Sequence, residues 1–416
     1  MRVHVATIGC RANQYDSETV AAMVAAGGGT VVASPADADV VVVNSCAVTA
    51  EAEADLRRIV RRVARTAPRA RTVVMGCASA RDPEGVRALP TVSHALAGFD
   101  AAAIGDALGL DAEAWHVAAV RQGGARALLR VQDGCDQHCT FCATVLARGA
   151  QRSRPVEALV GEAARLAEHH PEIVLTGIHV GTYGTDTGSS LAALVHALVA
   201  RVPGGRFRLA SVEATELDDA LVARMADAPD RLAPWLHAPL QSGSEAVLRR
   251  MGRHWYTAAT YARAVERLAR AVPVLGLGAD VIVGFPGESD ADHAATVALV
   301  QALPFTQLHV FPWSPRPGTA APRLGPPPPA AVVQARAAEL RGLGEAKGAA
   351  HRRARHGGAA DLVVVGREGG DRTGLSEDYL VVRLPEPAPP RATRHRATLA
   401  CRDDDGRATL TARLDA

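Results

Sequence analysis

Three times within the first 77 residues a short aliphatic run ends on a cysteine: "VHVATIGC", "ADVVVVNSC" and "RTVVMGC". Valine-rich runs of this length suit buried strands. The segments between them carry helical periodicity, "SETVAAMVAAG" closing on a glycine cap and "AEAEADLRRIVRRVARTA" forming an Arg-rich amphipathic stretch. Strands that alternate with helices must cross over and run parallel, so residues 1–112 are expected to form a small parallel α/β unit. Ligands of such sheets bind at the carboxyl edge of the strands. Cys10, Cys46 and Cys77, far apart in sequence, would then converge on one rim.

The strand–helix alternation resumes over residues 121–352. It opens with "RALLRVQDG" and continues through "EIVLTGI", "RFRLAS", "WLHAPL", "VLGLGADVIVGF" and "TQLHVFPW", with helices such as "AATYARAVERLARAV" and "DADHAATVALVQAL" between. Repeated βα units predict an open or closed (β/α) barrel with its functional residues at strand carboxyl ends. The tetraproline of "RLGPPPPAA" and the helix "AAVVQARAAELRGLGEAKGAAHRRAR" mark an exit. Over 353–416 the helical period is lost, and "ADLVVVG", "EDYLVVRL", "RATLACR" and "ATLTARL" predict a small antiparallel β-barrel.

Of the 416 residues 48% are hydrophobic and 22% charged, and the formal net charge is +2, so no global field argues for nucleic acid. Lys347 is the sole lysine; with so much alanine, the arginine bias is best explained by genome composition. The N-terminus has no signal-peptide stretch and no aliphatic run is long enough to span a bilayer, so a cytoplasmic protein without a membrane partner is expected. There, seven cysteines suit metal binding or redox chemistry better than a disulfide framework. Cys401, alone in a terminal strand, is expected to be core.

Three of the seven crowd into "QDGCDQHCTFCATVLARG" as Cys135, Cys139 and Cys142. One choice is structural zinc, with His138 as the fourth ligand. The other is an iron–sulfur cubane, normally held by four cysteines, in which three leave one iron open for chemistry.

"VQDGCDQHCTFC", with Phe141 before the third cysteine, resembles the cluster loop of radical S-adenosylmethionine enzymes. "GCRANQYDSE", "NSCAVTAEAE", "VVMGC", "RGAQRSRP", "EIVLTGIHVGTYG", "HAPLQSGSEAVLRRMGRHW", "GADVIVGFPGES" and "FPWSPRPGT" resemble the methylthiotransferase branch, in order and over nearly the whole chain. The resemblance implies a 4Fe–4S cluster on Cys135, Cys139 and Cys142 that binds and cleaves S-adenosylmethionine. It also implies an auxiliary 4Fe–4S cluster on Cys10, Cys46 and Cys77 that presents sulfur to the substrate. Gly177 in "LTGIH", Ser211 and Glu213 in "RLASVE", Gln241 in "LQSGS" and Arg253 in "MGRHW" take the matching positions around S-adenosylmethionine, Arg253 as a fork for its carboxylate.

"NSCAVTAEAE" and "GCRANQYDSE" look most like the branch that methylthiolates carbon 2 of N6-threonylcarbamoyladenosine beside the anticodon of tRNA. Such an enzyme implies an external electron donor and a sulfur donor as partners. The alternatives are isopentenyladenosine in tRNA, another RNA, a ribosomal protein, and a non-catalytic zinc or RNA-binding protein. The terminal barrel takes the place of the family's TRAM-like RNA-binding domain. From Lys347 to Ala416 thirteen Lys/Arg face ten Asp/Glu, with "HRRARH" and "RATRHRATLACR" as the candidate basic patch. Relatives usually follow the third cysteine with two aliphatics, a proline and an Arg-Gly pair; here "ATVLARG" keeps Arg148 and Gly149 without the proline.

Overall fold

The computed structural model describes residues 1–116, 120–368, 371–404 and 407–415. The N-terminal region is a five-stranded, wholly parallel sheet of β1 (Arg2–Thr7), β2 (Thr30–Val31), β3 (Val40–Ser45), β4 (Arg71–Gly76) and β5 (Val92–Ala95), in the order β2-β1-β3-β4-β5. All six residues of β3 are buried, as expected of a central strand covered on both faces. Separate apolar clusters fill the two sides, one around Val20, Met23 and Ile104, the other around Leu56, Val60 and Val63. The strand order reverses between β1 and β3, and the crevice at such a switch point is where open α/β sheets bind ligands. Cys10 and Cys46 follow these two strands.

The helix expected from Ser17 starts at Arg11 and runs to Ala26. Its first turns, "RANQYD", read as loop because they are polar. They are polar because Asn13, Tyr15 and Asp16 are buried against the rest of the protein. The helix Ala50–Thr66 matches its expected span, capped by Thr49, whose hydroxyl accepts from Ala52 N at 3.1 Å.

The central region is an arc of six parallel strands: β6 (Ala127–Arg130), then, after a two-stranded ribbon of β7 (Gln132–Asp133) and β8 (Arg152–Ser153), β9 (Glu172–Thr176), β10 (Arg206–Leu209), β11 (Trp235–His237), β12 (Gly276–Val283) and β13 (Gln307–Pro312). They form the sheets β10-β9-β6 and β11-β12-β13, joined by bridges at Phe207–Leu232 and Ser211–His237. Between the open and closed alternatives the structure is open: β6 and β13 are unpaired edges, and the helix Ala330–Ala354 lies along β13. One large core, including Leu129, Leu175, Phe207 and Leu277, packs this region.

The chain ends in a closed barrel of β14 (Ala359–Glu368), β15 (Asp371–Leu375), β16 (Val381–Arg383), β17 (Arg394–Asp404) and β18 (Arg407–Leu414), in the order β14-β15-β16-β18-β17. Its pairing is antiparallel except for one parallel contact between Arg383 and Thr411. β15 went unread in the sequence because "DRTGL" lacks alternation, and "EDYL" is a turn rather than strand. Cys401 is partly buried against the barrel core. The expected basic patch is largely spent within the fold: Arg355 pairs with Glu377 and Asp378, Arg353 with Asp403 and Arg394 with Asp361, while Arg352 and Arg391 donate to main-chain carbonyls. Among the described residues no helix is long and apolar enough to cross a membrane.

Candidate functional site

The ribbon of β7 and β8 fastens the ends of the cysteine loop that follows β6. Cys135 N donates to Gly149 O at 3.0 Å and Cys142 N to Cys139 O at 3.1 Å. Thr140 ties the loop to the turn after the helix Glu245–Arg250, its N donating to Met251 O and its hydroxyl to Arg250 O, both at 2.9 Å. Phe141 packs edge-on against Phe285, ring centroids 6.4 Å apart.

All three cysteines line a cavity of about 180 Å³ at the carboxyl ends of the central strands, together with Ser211, Glu213, Gln241 and Arg253. Gly177 does not line it. A Cβ there would come within 2.8 Å of Gln132 O and 2.9 Å of its Oε1. Glycine thus lets the Gln132 side chain accept from Ile178 N and His179 N, at 3.1 and 2.9 Å. Arg253 is buried and directs its fork inward: it donates to Glu213, to Tyr256 Oη at 2.9 Å and to Cys139 Sγ at 3.6 Å, and its guanidinium lies over the Trp255 and Tyr256 rings. The Trp255 indole also donates to Glu213. Burial pushes the Cys139 thiol up to about 11, with Cys142 adding and Arg253 opposing, so a metal must displace a proton there.

His179 and Glu216 belong to this site and were missed in the sequence. His179 lies 3.5 Å by Nδ1 from Cys135 Sγ and 2.7 Å by Nε2 from Glu216 Oε1. Burial pulls its pKa down, but the Cys135 and Glu216 contacts and the Glu216 and Glu213 charges outweigh it and raise it to about 10. The one signal was position: His179 and Trp255 lie inside the blocks "EIVLTGIHVGTYG" and "MGRHW".

The second set gathers on the rim of the N-terminal sheet. Cys10 is exposed after β1, Cys46 is buried after β3, and Cys77 is buried at the start of the helix Cys77–Arg81. Gly76 has φ +94°, and a Cβ there would meet Ser45 O at 2.5 Å. Only glycine brings Cys77 this close to the end of β3. Asn13 Nδ2 donates to Ile8 O at 2.8 Å and Ser45 O at 3.0 Å, fixing the Cys10 turn against the end of β3. Burial pushes the Cys46 thiol up to about 11, the neighbouring Cys77 and Cys10 adding to it.

Arg148, from the radical-loop side, enters this second set. It is buried and donates to Asn13 Oδ1 at 2.6 Å, Asp16 Oδ2 at 3.1 Å and Asp133 Oδ1 at 2.9 Å. Burial raises the Cys77 thiol, and the Arg148 charge works against that rise.

The donor geometry discriminates between metals. Four Zn–S bonds of about 2.3 Å in a tetrahedron put the sulfurs about 3.8 Å apart. Among the described residues the three-donor group with its atoms within 4.8 Å of one another is His179, Glu213 and Glu216, which no cysteine joins. Its acids are already engaged by Arg253, Trp255 and His179. Two sets of three thiols, spaced too widely for one ion, fit multi-iron clusters with an open corner.

Residues 129–300 match the model of the radical SAM superfamily, and residues 2–98 that of a family described as uncharacterized protein family UPF0004. The arc of strands agrees: the structure of the radical S-adenosylmethionine methyltransferase TsrM from Kitasatospora setae, with cobalamin and a [4Fe-4S] cluster, superposes with a TM-score of 0.57 over 75% of this chain and 74% of that one, at 16% identity. The chain is a radical SAM protein, and that superfamily binds S-adenosylmethionine at a 4Fe–4S cluster. The threonylcarbamoyladenosine tRNA methylthiotransferase MtaB of Thermotoga maritima is 37% identical over 338 residues, covering 77% of each chain. Its Bacillus subtilis counterpart is 35% identical over 338 residues, covering 76% of this chain and 74% of its own. The chain belongs to the threonylcarbamoyladenosine tRNA methylthiotransferase family.

Proposed function

We propose that this protein methylthiolates carbon 2 of N6-threonylcarbamoyladenosine next to the anticodon of tRNA, in the cytoplasm. The observation that carries the reading is the pair of incomplete cysteine sets, one on each of two facing strand rims, with Arg148 reaching from one into the other. Cys135, Cys139 and Cys142 would hold the cluster that binds S-adenosylmethionine. Cys10, Cys46 and Cys77 would hold an auxiliary 4Fe–4S cluster. When bound, the first cluster supplies the electron that splits the sulfonium C–S bond.

The chain's own part is orientation and exclusion of water. Ser211, Glu213 and Gln241 supply oxygens and an amide around the cofactor, Glu213 being held by Arg253 and Trp255. His179, held by Glu216, offers a cationic donor beside Cys135. Residues 1–112 carry the auxiliary cluster, 121–352 the radical chemistry, and the TRAM-like barrel of 353–416 the RNA contact. An external reductant and a sulfur donor complete the cycle.

Mass spectrometry of tRNA nucleosides from a deletion strain tests the substrate: loss of the methylthio derivative, with threonylcarbamoyladenosine left in its place, is expected. An unchanged nucleoside profile refutes it. Anaerobic reconstitution is expected to load about eight irons per chain, and stoichiometric zinc without iron would return the protein to the non-catalytic zinc or RNA-binding reading.

A further inference from the structure

Beside the cavity of Cys135, Cys139 and Cys142 lies a second one of about 260 Å³. The two share a wall of Phe141, Cys142, Thr144 and Gln241. Across from that wall the second cavity is bounded by Val48 and Thr49, and Val48 N donates to Cys46 Sγ at 3.5 Å. It therefore fills the gap between the two cysteine sets.

Its lining is apolar on one side and polar on the other. Phe311 and Val48 are 45% and 52% exposed, among the few large apolar side chains left in water. Trp313, two residues on from Phe311, is fixed edge-on against Phe285, ring centroids 6.2 Å apart. An exposed phenyl beside a rigid indole, with an aliphatic lip, is a surface on which a flat ring stacks. At the polar end stand Asp280 and Arg316. Arg316 is buried; Glu53 accepts from its Nη2, while its Nε has no partner. A buried guanidinium with an unused donor is suited to an anion.

We propose that this cavity receives a purine whose exocyclic amine carries an anionic substituent, with the ring stacked on Phe311 and the anion turned towards Arg316. The proposal rests on the functional reading above and deepens it: the threonylcarbamoyl group supplies the carboxylate, and the modified base must leave the anticodon-loop stack to enter. Val48 and Gln241 then face the base from the two cluster sides.

The test is equilibrium binding of two anticodon stem–loop RNAs, one with threonylcarbamoyladenosine and one with unmodified adenosine. The protein is the full chain, anaerobically reconstituted, with S-adenosylmethionine present. Phe311→Ala is expected to weaken binding of the modified RNA roughly 5- to 150-fold, the range for loss of one base–aromatic stack, and Phe311→Trp to restore it. Arg316→Gln is expected to bring the modified RNA down to the affinity of the unmodified one and leave the latter unchanged. Wild-type affinity in Phe311→Ala, or equal weakening of both RNAs by Arg316→Gln, overturns the proposal. Nucleoside analysis of the wild-type reaction separates the two levels. If the wild type converts the modified RNA but the variants bind as it does, the cavity assignment alone falls. If the wild type leaves the base unchanged, the functional reading falls.

Discussion

Arg148 shows how one side chain joins two sites. The stretch "ATVL", where relatives place a proline, forms the start of the short helix Thr144–Arg148, and Gly149 at φ +70° turns the chain back to β8. The departure therefore leaves the Arg-Gly pair in working position. Removing the guanidinium would strip a buried partner from Asp16 and Asp133. Arg148→Met is expected to lower unfolding free energy by about 3–5 kcal/mol in urea titrations, the range for a broken buried pair. Arg152→Met, at an exposed side chain 3.9 Å from the same Asp133, should change it by less than about 1 kcal/mol. Equal effects would show that burial does not set the difference. The six cysteines were legible because cluster chemistry restricts the residue type. Asn13, Asp16 and His179 were not, since a polar residue in a helix or turn has the same sequence signature whether it faces water or another part of the protein.

At the scale of elements, the central strands were read with little error because valine runs buried on both faces leave few alternatives. β2 and β5 were missed: one has two residues, the other exposed positions at a sheet edge. Their absence from the sequence reading hid the order β2-β1-β3-β4-β5, and with it the switch point beside Cys10 and Cys46. The turn from β4 into the Cys77 helix is the element most sensitive to substitution. Gly76→Ala puts a methyl at 2.5 Å from Ser45 O on a left-handed backbone. A penalty of about 1–3 kcal/mol is expected from strain. Because the strain displaces Cys77 and not Cys139, iron content after reconstitution should fall to about half of the two-cubane complement. Full iron in the variant would mean that Cys77 tolerates the shift.

At the scale of the molecule, the barrel is held to the central arc by buried charge. Glu172 accepts from Arg206 and Arg208, and Arg208 goes on to donate to the carbonyls of Ser376 and Glu377, both at 2.9 Å. Tyr379 stacks on Trp235 with ring centroids 4.4 Å apart, and its hydroxyl accepts from Arg11 of the N-terminal region at 2.9 Å. Burial alone would raise the Glu172 carboxyl, but Arg208, Arg206 and Arg126 overcome it and hold it well below the usual range. A depressed folded pKa means that this contribution is complete above the unfolded value of about 4.3 and is lost as pH falls below it. Glu172→Gln, which removes the charge but not the shape, is expected to cost about 3–5 kcal/mol at pH 7. The gap from wild type should shrink as the pH is lowered to 3, followed by thermal or urea unfolding. A gap constant with pH would show that the charge on Glu172 does not hold the barrel.

The sequence by itself determined the three-part order of folds and the cysteines that can hold metal, because strand burial and thiolate chemistry each demand particular residues at fixed spacing. Only the tertiary structure decided what those residues face. It gave Arg253 to Glu213, turned the arginines of the terminal segment inward as struts, brought Arg148 between the cysteine sets, and opened the cavity under Phe311. Each of these depends on contacts between segments distant in sequence, whose polar side chains look alike until packing removes water from some and leaves it on others.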